Sequence, residues 1–331
     1  MINSAINKLL SKNDLESTII YEVFEEILSG IATPIQTSSF LTALKTKPET
    51  LEELFYSIDA SRGFVKKINL PYSCDNLIEN ITMNEDSSII DISFAVDIIC
   101  SANNLGVLKY SFNMDKAFQT LSFFSENFFN KTLNNFERLC FGYFLLDKNE
   151  PYYKYSSIVD KNLTFDNIFS IIDKFLNPYG AKNQVIGVNR GELVEKIALL
   201  CLKLKNSNSL VMSAKNNFPY ISLESETYVA EAWKDKIFTY TLTPELLGFK
   251  NHSIDEIKCD NISHSALIIK DVFENKTKNA SYCAIVLNSA MALYIAKKAP
   301  SIIDGIELAK KTIDSNLAIE KLEQIIKSYS N

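Results

Sequence analysis

The chain has 331 residues, of which 47% are hydrophobic and 22% charged, and its formal net charge is -6. This composition is typical of a soluble globular protein with one large domain or a large and a small one. No run approaches the roughly 20 apolar residues of a membrane-spanning helix, and the N-terminal segment lacks the apolar core of a signal peptide. The acidic balance argues against a nucleic-acid surface, which needs clustered positive charge.

The scarce glycines and scattered cysteines exclude several kinds of site. The nine glycines form neither a GxGxxG nor a GxxxxGK phosphate-binding loop. The six cysteines are widely spaced, without a CxxC pair, and the chain has only two histidines. This pattern predicts reduced, mostly buried thiols in a cytoplasmic protein, and it predicts neither a metal site nor a histidine relay.

Residues 1–64 are predicted to form a compact N-terminal helical domain. Apolar residues at helical spacing predict three helices, over 14–29, 34–46 and 50–61. Asp14 is the expected N-cap of the first helix, and Gly30 is its expected stop. The other two helices begin with capping boxes, Thr33 with Gln36 and Thr50 with Glu53. We expect some of their apolar side chains, Ile35, Phe40, Leu41 and Leu44, to contact the rest of the chain or a second chain.

From residue 65 to 331, short apolar runs alternate with helical patterns. The predicted strands lie at 66–70, 106–110, 184–188, 209–213 and 237–242. The predicted helices lie at about 92–104, 115–128, 164–176, 191–205, 261–274, 284–298, 301–314 and 316–329. Because strands separated by helices pair in parallel, we expect an α/β fold: a small helical domain plus a larger domain with a mostly parallel sheet flanked by helices.

Four stretches carry a resemblance to a known family: residues 22–54, 177–198, 228–249 and 286–323, which begin EVFEEILSG, NPYGAKNQ, YVAEAWKD and VLNSAMAL. In order, spacing and total length, the chain resembles anthranilate phosphoribosyltransferase, a nucleoside-phosphorylase-like transferase. The resemblance implies a helical domain beside an α/β domain. It also implies a homodimer formed through the N-terminal helices. A non-catalytic member could instead pair with an active paralogue, and the composition predicts no membrane or nucleic-acid partner.

The resemblance locates a phosphoribosyl pyrophosphate site whose residues differ from those of the family. The family's GTGGD loop becomes PYSCD at 71–75, and its NxST helix start becomes DISF at 91–94. Its KHGN motif becomes KYSF at 109–112. The matching residues in these motifs are Asp75, Ser93 and Lys109. A phosphate loop depends on glycine, which PYSCD lacks, and Asp91 in place of an asparagine is expected to repel pyrophosphate.

The family's magnesium ligands, an aspartate and a glutamate, correspond to Pro219 and Tyr220, and neither offers a carboxylate. Stabilisation of the pyrophosphate leaving group depends on magnesium, lysine and backbone N–H groups. We therefore expect no standard phosphoribosyl transfer, no catalytic residue that stands out and no cofactor, with magnesium expected only if activity is retained. The candidate cleft residues are Ser73, Asp75, Ser93 and Lys109.

Three functions remain open from the sequence. The first is a non-catalytic binding or partner protein with a degenerate active site. The second is a divergent phosphoribosyl- or glycosyltransferase related to tryptophan biosynthesis, which would use the four candidate residues. The third is a nucleic-acid-binding member of the family, because one branch has a loop that begins with a Leu-Pro pair, as LPYSCDN does here.

Overall fold

A computed structural model describes the chain except residues 71–75, 84–85, 114–115, 125–131, 161, 207 and 331, and the side chains of 118, 124, 132–135, 160, 329 and 330. The chain divides into two compact units. A helical unit comprises residues 1–69 and 146–180, and an α/β unit comprises residues 70–145 and 181–331.

The helices, numbered in chain order, are α1 (Ile2–Leu10), α2 (Ser17–Leu28), α3 (Pro34–Lys45), α4 (Leu51–Arg62), α5 (Ile92–Ala102), α6 (Lys116–Phe124), α7 (Thr132–Leu139), α8 (Pro151–Asp160), α9 (Ile168–Phe175), α10 (Val194–Lys203), α11 (Ile262–Phe273), α12 (Ala280–Ile295), α13 (Ile302–Asp314) and α14 (Leu317–Ser330). In the part of the chain that the structure describes, none of these helices is long and apolar enough to cross a membrane.

The strands are β1 (Leu77–Thr82), β2 (Gly106–Ser111), β3 (Phe141–Leu145), β4 (Asn183–Gly187), β5 (Asn208–Ala214), β6 (Thr227–Trp233) and β7 (Lys236–Leu242). They form one sheet in the order β3-β2-β1-β4-β5-β6-β7. The first five strands of this order are parallel, whereas β6 and β7 add an antiparallel hairpin. The predicted fold class is confirmed, and the carboxyl ends of the parallel strands share one edge of the sheet.

The helical unit is built around aromatic side chains from both of its segments. Phe24 of α2 packs edge-on against Phe40 of α3, with ring centroids 6.1 Å apart, and against Phe169 of α9, at 5.6 Å. Arg62 donates to the Phe175 carbonyl oxygen at 2.9 Å. The helical unit therefore takes in residues 146–180, which the sequence places in the α/β domain, because their aromatic residues complete its core.

The helix-start signals of this unit give a mixed result. Both predicted capping boxes form, at Thr33 with Gln36 and at Thr50 with Glu53. Gly30 follows the end of α2 with φ +77°, a conformation that favours glycine. The prediction that Asp14 caps α2 is wrong. The helix begins at Ser17, and the Asp14 carboxylate lies 2.9 Å from Lys47 Nζ instead.

The strand predictions are wrong in two situations: where an apolar run does not pair with a sheet, and where buried polar residues interrupt the apolar pattern of a strand. Four predicted strands correspond to β2, β4, β5 and β7, but 66–70 is not a strand. Its Ile68 N–H bonds to the Pro178 carbonyl oxygen within the helical unit rather than to a sheet. The first strand is instead Leu77–Thr82, whose apolar pattern is interrupted by the buried Glu79 and Asn80.

Candidate functional site

Helix α5 and strand β2 bring together the candidate residues that the structure describes. Lys109 of β2 donates from Nζ to Ser93 Oγ of α5 at 2.5 Å. Ser93 is buried, and the Lys109 side chain is only 12% exposed. The other two candidates, Ser73 and Asp75, lie outside the described residues. Their segment, 71–75, precedes the first strand, β1, and does not follow a strand over 66–70 as the sequence predicts.

The Lys109 ammonium also contacts Asp97, a site residue that the sequence reasoning missed. Lys109 Nζ lies 3.2 Å from Asp97 Oδ2, and the Asp97 side chain is completely buried. Ser93 and Asp97 occupy positions i and i+4 of α5, so they share one face of the helix. That spacing is the signal in the sequence that could have identified Asp97.

Two further buried side chains hold the Asp97 carboxylate. Asn80 of β1 donates from Nδ2 to Oδ1 at 2.6 Å, and Tyr143 of β3 donates from its hydroxyl to Oδ2 at 2.5 Å. Burial raises the pKa of the Asp97 carboxyl, while Lys109, Tyr143 and Asn80 favour its charged form and act in the opposite direction. Burial, with Asp97 as a further cause, also raises the pKa of the neighbouring Cys100 thiol. The result is an internal cluster around a buried carboxylate.

Asp91, which the sequence suggests as a group that repels pyrophosphate, is a structural helix cap. Its Oδ1 accepts from the Phe94 N–H at 2.9 Å, and its Oδ2 accepts from the Thr120 hydroxyl at 2.7 Å. The residue is fully buried. Both oxygens are thus occupied by internal donors, and the acidic group in contact with Lys109 is Asp97.

The segment at the expected magnesium position is packed onto the sheet edge. The Pro219 carbonyl oxygen lies so close to Gly187 of β4 that a Cβ there would meet it at 1.8 Å. Tyr220 is 4% exposed, and its hydroxyl oxygen accepts from the Thr82 hydroxyl at 3.1 Å. The next residue, Ile221, donates its N–H to Asn288 Oδ1 of α12 at 2.9 Å.

Little space is left between this segment and the ends of β1 and β4. The volume open to the centre of a water molecule is about 10 Å³, which is room for about one water. The lining includes Asn80, Thr82, Ser93, Gly187, Pro219 and Tyr220. The space bounded by these described residues is too small for a phosphorylated sugar; residues 84–85 and 114–115, which follow β1 and β2 in the chain, lie outside the described residues.

Pro219 and Tyr220, at this edge, do not fit a magnesium ion. Magnesium requires carboxylate or other hard oxygen ligands in octahedral geometry. Proline has no side-chain donor atom, and the Tyr220 hydroxyl already bonds to Thr82. Throughout the described residues, no group of three or more His, Cys, Asp or Glu side chains is arranged to hold a metal ion.

We expect Gly187→Ala to destabilise the protein by about 1–3 kcal/mol, the usual range for overpacking a tight site. The new methyl group would overlap a backbone carbonyl, which cannot rotate away as a side chain can. Urea unfolding measures the change. Gly191→Ala is the matched control, because no atom lies within 4 Å of its added Cβ. Equal stability of the two variants would contradict the close packing of Pro219 on β4.

Comparisons with known proteins agree with this architecture along the whole chain. Residues 3–64 match a family model described as the helical bundle domain of a glycosyl transferase family, and residues 126–319 match its a/b domain. The chain is 32% identical to an anthranilate phosphoribosyltransferase of Methanobrevibacter smithii, with 100% of each chain covered. It is 29% identical to one of Vesicomyosocius okutanii over 98% of each chain.

Solved structures show the same fold. The anthranilate phosphoribosyltransferase of Thermus thermophilus matches with a TM-score of 0.86 at 22% identity, covering 99% of both chains. The enzyme of Saccharomyces cerevisiae in complex with PRPP and Mg matches with a TM-score of 0.85 at 20% identity, covering 99% of this chain and 98% of that one.

Proposed function

The chain belongs to the anthranilate phosphoribosyltransferase family, and from this starting point we propose that it has lost the standard phosphoribosyl transfer activity and acts as a binding or partner protein. The observation that carries the proposal is the packing of Pro219 and Tyr220 onto the sheet edge, which leaves room for about one water. The positions that the family resemblance gives to magnesium ligands are therefore part of the protein's own packing.

The environment of Lys109 supports the same proposal. A cation that binds pyrophosphate contributes through its uncompensated charge. Here the Lys109 ammonium lies 3.2 Å from the Asp97 carboxylate, and at such a distance the attraction between opposite charges is worth about 1–4 kcal/mol, depending on solvent screening. An incoming phosphate would face the same carboxylate, which reduces its net attraction to this site.

A calorimetric titration with phosphoribosyl pyrophosphate, carried out with and without magnesium, tests the proposal. We expect no magnesium-dependent binding tighter than about 1 mM, a free energy of about -4 kcal/mol. Magnesium-dependent binding in the micromolar range would contradict the proposal and favour a divergent transferase.

A homodimer formed through the N-terminal helices, or pairing with an active paralogue, is part of the proposal. Of the apolar residues that the sequence suggests for a contact, Phe40, Leu41 and Leu44 are buried within the helical unit. Ile35 is 80% exposed at the start of α3, and Ile31, just before it, is 73% exposed. Two adjoining exposed isoleucines on a small helical unit support an interface there.

We expect Ile35→Asp to convert the dimer to a monomer, because a carboxylate buried in an apolar interface loses its hydration without gaining a partner. Light scattering at tens of micromolar should give twice the chain mass of 37.4 kDa for the wild type and that mass itself for the variant. The control is Ile303→Asp on α13, an apolar residue that is 52% exposed in the α/β unit. A wild-type protein that is already monomeric would rule the dimer out.

A cytoplasmic location fits the thiols of the chain. Of its cysteines, Cys100, Cys140, Cys201, Cys259 and Cys283 are free. Free thiols persist where the compartment is reducing. The sixth, Cys74, lies outside the described residues. We propose no nucleic-acid partner, because the net charge of -6 opposes binding to a phosphate backbone.

A further inference from the structure

A second cleft lies between α7 and α14, away from the sheet edge described above. Arg138 and Leu139 line it from α7, and Gln324, Lys327 and Ser328 line it from α14. Its volume is about 370 Å³, which falls in the range of about 300–1,000 Å³ typical of small-molecule sites. All of these residues belong to the α/β unit.

Two cations line this cleft and a third lies beside it. Arg138 and Lys327 line it directly, and Lys321 of α14 donates from Nζ to the carbonyl oxygen of the lining residue Leu139 at 3.2 Å. Lys321 is half-buried, and burial lowers the pKa of its ammonium group. Partial removal of water from an ammonium group costs free energy that an anionic ligand would recover.

None of these three cations has an acidic partner among the described residues. Among the residues that the structure describes, no carboxylate oxygen lies within 4.0 Å of the cationic atoms of Arg138, Lys321 or Lys327. The acidic side chains nearest to them along the chain belong to Glu137, Glu320 and Glu323, and these do not pair with them either. Lys276 of the same unit, by contrast, pairs with Asp271 at 2.9 Å. The three cations beside the cleft therefore make no ion pair within the described part of a protein whose net charge is -6.

We propose that the cleft between α7 and α14 binds the phosphate group of a phosphorylated small molecule. A phosphate monoester carries nearly two negative charges and three acceptor oxygens. It therefore matches three cations better than a ligand with a single carboxylate group would. The planar guanidinium of Arg138 can donate two parallel hydrogen bonds, while each lysine acts as a point charge. The Gln324 amide adds a neutral donor, and the remaining volume accommodates the organic part of the ligand.

The test uses AMP as a phosphate monoester and inorganic phosphate as its competitor, with binding followed by calorimetry and by NMR at low ionic strength. We expect the wild type to bind AMP with a dissociation constant below about 1 mM, and phosphate to displace it. Lys327→Ala and Arg138→Ala should each weaken binding about tenfold, which corresponds to ~1.4 kcal/mol. Both side chains are exposed, so neither variant should unfold the protein.

One control separates this site from general charge effects. Lys311→Ala removes an exposed lysine on α13 and should not change the affinity. The inference is overturned if AMP does not bind saturably, or if Lys311→Ala weakens binding as much as Lys327→Ala does. It is also overturned if Lys327→Ala has no effect on binding.

Discussion

Asp97→Ala should lower the free energy of unfolding by about 3–5 kcal/mol, the cost of removing one partner of a buried salt bridge. The carboxylate is completely buried and receives hydrogen bonds from Asn80 and Tyr143 beside the contact with Lys109. The substitution would remove the acceptor of two buried donors, the Asn80 amide and the Tyr143 hydroxyl. It would also leave the Lys109 ammonium without this counter-charge.

Urea unfolding followed by circular dichroism measures this loss. Asp97→Asn is the conservative comparison, because it keeps an oxygen acceptor of the same size and should cost less than the alanine variant. Asp235→Ala, in the exposed turn between β6 and β7, controls for the loss of an ordinary surface carboxylate and should change stability by less than about 0.5 kcal/mol. A loss below about 1 kcal/mol for Asp97→Ala would contradict a cluster held together by this residue.

The largest expected effect is on turnover. An assay of anthranilate consumption with phosphoribosyl pyrophosphate and magnesium should show a rate at least about 10⁴-fold below that of the Methanobrevibacter smithii relative, measured in parallel. A single donor to a developing negative charge is worth about 10²–10³ in rate, and we propose that a glycine loop and two carboxylate ligands are replaced together here. A rate within tenfold of the relative would show that another group stabilises the leaving pyrophosphate.

The fold could be predicted from the sequence because its signals are local. The capping boxes at Thr33 and Thr50 fix the starts of α3 and α4, and both form as predicted. Strands β2, β4, β5 and β7 are apolar or β-branched runs bounded by turns, so their pattern identifies them. The alternation of such strands with helices then implies the parallel sheet.

Other elements depend on contacts that no local pattern carries. The segment 146–180 joins the helical unit because Phe169 packs on Phe24, which lies far away in the sequence. Strand β1 is hard to recognise because Glu79 and Asn80 are buried polar residues with partners on other elements, Gln184 of β4 and Asp97 of α5. Tertiary contacts decide both outcomes.

The site was only partly predictable for the same reason. Ser93 and Lys109 are identified by the family resemblance, and the structure brings them into hydrogen-bonding contact. Asp97 lies within an apolar stretch, where the sequence pattern indicates only one polar residue on the buried side of a helix. Its significance depends on Asn80, Tyr143 and Lys109, which come from three different strands and meet only when the sheet forms.

The proposed loss of the phosphoribosyl pyrophosphate site is tested most directly by a pair of calorimetric titrations on the full chain. One contains magnesium chloride at about five times the highest ligand concentration, and the other contains EDTA. Repeating both titrations with Lys327→Ala separates binding at this site from phosphate binding in the cleft between α7 and α14. The proposal predicts no difference between the titrations up to about 1 mM ligand. A magnesium-dependent, micromolar isotherm that disappears in Lys109→Met would contradict it.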